Sequence, residues 1–186
     1  MKRRPIRKQN QNSFEIWKRV AVYGVLLLIL ATAQCSFFAR LHFLSATPDL
    51  ILCALVAIAV LDSVPVAAMA AVGGGILIDA IGGVGVSWSP LFYLTVIVVV
   101  GLLAGKMLRG FVAYLVLLLP ALLLRFGATS LSLWRNLSSV SPMQAFRTVL
   151  LPEALFTLIF GLSIYFFVLL CMIPLAGPQN RPRRGL

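Results

Sequence analysis

The stretch from Met69 to Gly85 reads MAAVGGGILIDAIGGVG. It is apolar but for one carboxylate, Asp79, and three successive glycines stand just before that residue. Extended back to Val64, the run is about as long as a helix needs to be to cross a bilayer. Inside a membrane an ionisable residue is rare and faces a partner or a cavity. The glycines let a second helix backbone come close. One Asp costs about 2.5–3.5 kcal/mol at the centre of a span and each apolar neighbour returns about 0.3–0.6 kcal/mol, so a dozen such neighbours still insert the helix. Asp79 also stands near the expected carboxy-terminal end, where the helix dipole disfavours a carboxylate. Three readings of it stay open: an Asp that snorkels to the interface, a structural ion pair inside a bundle, or a ligand or proton site. Ala67, Ala71, Gly75 and Asp79 recur at steps of four and share one stripe. That stripe reads as a packing face, either within the bundle or against a different protein.

The rest of the chain has the same character. Of 186 residues, 61% are hydrophobic and 11% charged, where a soluble domain carries about 25% charged residues. Apolar runs recur without the short alternating strands of a membrane barrel, so the fold class is an all-α membrane protein. Helices are expected over about Val20–Ala39, Leu50–Leu61, Val64–Ile81, Pro90–Lys106, Phe111–Phe126 and Val149–Ile173, with a kink at Pro120. The second run is about 18 Å long as a helix, short of the roughly 30 Å hydrocarbon core, and needs thinned lipid or a protein shield. Domain organisation follows: a basic tail over residues 1–18, a six-helix transmembrane domain over 19–175 and a basic tail over 176–186. The longest connection, from Ala128 to Arg147, is rich in serine.

The net charge of +11 does not imply nucleic acid, because no soluble face carries it. It sorts by topology instead. With six spans and both termini in the cytoplasm, twelve of the sixteen basic residues lie inside, and only Arg40, Arg125, Arg135 and Arg147 lie outside. The first apolar stretch is longer than a signal-peptide core and reads as a retained helix. Under this topology Arg40, Asp49, Asp79, Arg125, Arg147 and Glu153 share the outer level, where opposite charges attract strongly. Arg40, Arg125 and Glu153 are candidates for an outer charge cluster, with Arg125 within the same leaflet as Asp79. Asp49 after Pro48, and Glu153 after Pro152, also suit the first turn of a helix.

Enzyme chemistry finds little support: there is no nucleophile motif or phosphate loop, and the glycine run enters a membrane helix instead of following a strand. The three cysteines fit no metal spacing and read as small buried hydrophobes. No cofactor is expected.

The segment Thr47-Pro48-Asp49-Leu50-Ile51-Leu52, then a short helix and a tight turn, then Gly75, Asp79 and Gly82, with Gly85 and Tyr93 beyond, resembles the rod shape-determining protein MreD family. That family starts its second helix with Pro-(Asp/Asn) and ends its third with Gly-x-x-x-Asp-x-x-(Ser/Gly)-Gly. Gly75 and Asp79 match this spacing, and Pro48, Asp49, Gly82 and Gly85 fit the flanks; the extra glycine at Gly83 with Val84-Gly85-Val86 after it, where the family often has Leu-Gly, is a departure. The resemblance implies a non-enzymatic scaffold of the bacterial inner membrane, acting in cell elongation and the regulation of peptidoglycan synthesis. It implies MreC as a direct partner, with MreB, RodA and a penicillin-binding transpeptidase in the same complex. It also implies a fold similar to the substrate-binding components of ECF transporters, and so an alternative role: a small-molecule, vitamin-like binding subunit of a transporter.

Overall fold

A computed structural model describes residues 6–38, 48–62, 64–82, 88–104, 110–136 and 151–172, with backbone alone for 6–16, 38 and 132–136. The described residues are almost entirely helical. The elements are α1 (Ile6–Thr32), which continues as a π-helical turn over Ala33–Phe38, then α2 (Leu50–Leu61), α3 (Val64–Gly82), α4 (Ser89–Ala104), α5 (Phe111–Asn136) and α6 (Leu151–Met172).

Among the described residues the shortest helix, α2, lies at the centre. Every residue of α2 from Leu50 to Val60 is buried, as expected of a helix that is apolar all round. It touches each of the other five, and those five pack in the order α1, α3, α4, α5, α6 around it. The shield that so short a helix needs in a membrane is therefore the protein itself.

The surrounding helices point apolar side chains outward. Leu28 and Ile29, Met69 and Ile76, Leu102, Val112 and Leu123, and Ile159 and Phe166 are all exposed. An apolar exterior this extensive suits lipid and not water. Among the described residues four segments are long and apolar enough to cross a membrane, Trp17–Phe37, Val64–Gly82, Phe111–Leu131 and Leu151–Met172, while α2 and α4 are shorter apolar helices.

Two expected boundaries move. Helix α1 begins at Ile6, not near Val20, and α5 runs to Asn136, past the expected end at Phe126. Polar residues follow an apolar helix into water at little cost when no proline interrupts them, so hydropathy marks the span and not the helix end. Thr129 bonds the Arg125 carbonyl at 3.0 Å within the added turn. At the start of α5, Gly110 takes φ 145°, a conformation that side chains rarely adopt, and its carbonyl accepts the Tyr114 N–H.

The stripe of Ala67, Ala71, Gly75 and Asp79 faces inward and is buried throughout. A Cβ on Gly75 would collide with the backbone of Pro90 and Ser89. The groove beside this stripe is filled by α4 of the same chain, which leaves it unavailable to another protein.

Candidate functional site

Helix α2 starts inside the protein, so the four N–H groups that no helix satisfies for itself need partners there. Asp49 N donates to the Thr157 hydroxyl at 3.1 Å. Leu50 N and Ile51 N donate to Oε1 of Gln34, on the π-helical turn of α1, at 2.9 and 3.3 Å. Leu52 N donates to Oδ1 of Asp49 at 3.0 Å, which makes Asp49 the N-cap. Three elements thus supply the caps: α1, α6 and the Pro48-Asp49 lead.

The same carboxylate then gathers charge. The Tyr93 hydroxyl of α4 donates to it, 3.0 and 3.1 Å from its two oxygens. Arg125 Nε of α5 stands 3.3 Å from Asp49 Oδ2 and 3.3 Å from Glu153 Oε1 of α6. The guanidinium also lies 5.6 Å from the centroid of the Phe92 ring. Thr157 closes the loop: its hydroxyl accepts from Asp49 and donates to the Glu153 carbonyl at 2.6 Å. Asp49 is 1% exposed, whereas the Arg125 and Glu153 side chains are 32% and 13% exposed. The outer edge of the network is therefore the Arg125–Glu153 pair.

Among the residues named from sequence, the fold brings Pro48, Asp49, Tyr93, Arg125 and Glu153 together at one end of α2. Asp79 is buried in the last turn of α3, within electrostatic range of Tyr93, and is not an isolated charge. The sequence puts Arg125 in the same leaflet as Asp79; the ion pairs described for it here run to Asp49 and Glu153. Gly75 packs against the start of α4, and Gly82 ends α3. Arg40 and Gly85 lie outside the described residues. Gln34 and Thr157 were not anticipated, because a lone amide and a lone hydroxyl in apolar runs carry no spacing signal.

A second network occupies the other end of α2. Arg19 Nη1 of α1 bonds Asp62 Oδ1 at 2.7 Å, and Tyr23 donates to Oδ2 at 3.0 Å. Both ends of the central helix are thus pinned by buried carboxylates to surrounding helices. Among the described residues no buried side-chain nitrogen or oxygen lacks a hydrogen-bond partner. Chemically the arrangement holds helices in register, and its polar atoms face one another.

No family model matches the chain, and neither a curated protein nor a solved structure matches it.

Proposed function

We propose that the chain is a non-catalytic scaffold of the bacterial inner membrane, as its resemblance to the MreD family implies. In this reading it spans the membrane six times with both termini in the cytoplasm, binds MreC, and works in cell elongation beside MreB, RodA and the penicillin-binding transpeptidase. One observation supports it above the rest: the polar groups that converge around Asp49 are satisfied by one another. A small-molecule site needs a few convergent polar groups that a ligand can reach. A scaffold needs a bundle whose register is fixed and whose outside is free. The partner surface then lies on the apolar exterior, since the inward stripe of α3 is occupied.

Co-purification from native bacterial membranes tests the reading. MreC is expected with the tagged chain. Loss of MreC from the wild-type pull-down, with a several-degree rise in Tm on adding a vitamin, would move the assignment to a transport subunit.

A further inference from the structure

The exterior carries a furrow with a charged mouth. Between α1 and α3 it encloses about 150 Å³, with Val20, Gly24 and Leu27 on one wall and Val66, Gly73 and Leu77 on the other. Gly24 and Gly73 hold it open: no atom lies within 4 Å of where a Cβ would stand at either. The two helices run in the same direction, and the furrow starts where α1 carries Arg19 and α3 has its first turn.

The charge at that mouth is asymmetric in exposure. The Asp62 side chain is 7% exposed, and its two oxygens are taken by Arg19 and Tyr23. The Arg19 side chain is 31% exposed. What the mouth presents to its surroundings is therefore the cation. Lys18, also exposed, precedes it, and the positive end of the α3 dipole lies two residues beyond Asp62. Trp17, three residues before Val20 and 71% exposed, suits the headgroup level where tryptophan collects.

An anionic phospholipid offers the complement: a phosphate joined to an apolar chain. We propose that the α1–α3 furrow is an anionic phospholipid site, with an acyl chain lying along Gly24 and Gly73 and the phosphate at Arg19. A whole helix, about 10–12 Å across, does not enter a furrow this small, whereas an acyl chain does. Attraction of anionic lipid by Lys and Arg at the membrane surface adds selectivity. The inference rests on the membrane reading alone and not on the identity of any protein partner.

The test uses the purified full chain, delipidated in detergent, with phosphatidylglycerol or phosphatidylcholine added at equal concentration. Phosphatidylglycerol is expected to raise Tm by several degrees, phosphatidylcholine by clearly less. Native mass spectrometry is expected to retain phosphatidylglycerol. Gly73→Leu fills the furrow from its open side and is expected to abolish the difference with helicity unchanged. Gly24→Leu, on the facing wall, gives the same reading should the first variant not fold. Equal shifts from the two lipids, an undiminished shift in both filled variants, or a protein span captured there with no lipid effect each overturn the proposal. No MreC is present, so failure here leaves the proposed function to its own test.

Discussion

Asp49 performs three tasks with one carboxylate. It caps α2, accepts from Tyr93 and balances Arg125. Removing one partner of a buried ion pair leaves the other uncompensated, at a cost of about 3–5 kcal/mol. Arg125 keeps Glu153 and partial exposure in such a variant, which argues for the lower part of that range. Asp49→Ala is thus expected to lose about 3 kcal/mol in unfolding from detergent. Tyr93→Phe removes one hydrogen bond to a charged acceptor and is expected to lose about 1.5–3 kcal/mol. Equal, negligible losses in both variants would show that the network contributes nothing to stability. Pro48-Asp49 was legible as a helix start because its spacing is local. The partners of Asp49 were not, since Tyr93 lies 44 residues away and Thr157 lies 108 away.

Helices α2 and α3 show how context decides what a residue means. Two glycines in one turn of α3 have opposite surroundings: Gly75 sits against the backbone of Pro90, and Gly73 faces open space. Gly75→Ala is expected to push α4 away and lower Tm. Gly73→Ala is expected to leave stability unchanged or raise it by up to about 1 kcal/mol, since alanine is the better helix former. A parallel thermal unfolding of the pair checks this; a Gly75→Ala variant as stable as wild type would refute the close α3–α4 approach. The sequence placed both glycines in a close-packing helix. It singled out Gly75 by its place on the stripe with Ala67, Ala71 and Asp79, but not the helix that fills that stripe, because the side of α3 that meets α4 depends on rotation about the axis. The same holds for α2, whose limits, Leu50–Leu61, agree with the hydropathy reading while its central position follows from how the other five helices close around it.

Among the described residues, five helices pack in succession around the short α2, apolar outside and ionically pinned at both ends of the centre. The proposed six crossings would place both termini on one side. Reporters fused to either end are expected to be active only in the cytosol; activity of one end outside the cell would mean an odd number of crossings. In so apolar a molecule buried charges fix register more than they add stability, because an ion pair repays its desolvation only with good geometry. That argues for their role in holding the outer helices at set rotations around α2, and so in shaping the apolar exterior.

Length and polarity of the apolar runs, read from sequence, determined that this chain forms membrane helices and where most of them lie. Transfer from water into lipid sums residue by residue along a segment, and that sum needs no knowledge of neighbours. Only the tertiary structure decided which carboxylate meets which cation, which stripe is closed by the chain's own helices and which furrow stays open. Those outcomes depend on the rotation and depth of helices far apart in sequence, and a helix that is apolar on every side carries no periodic signal to set them.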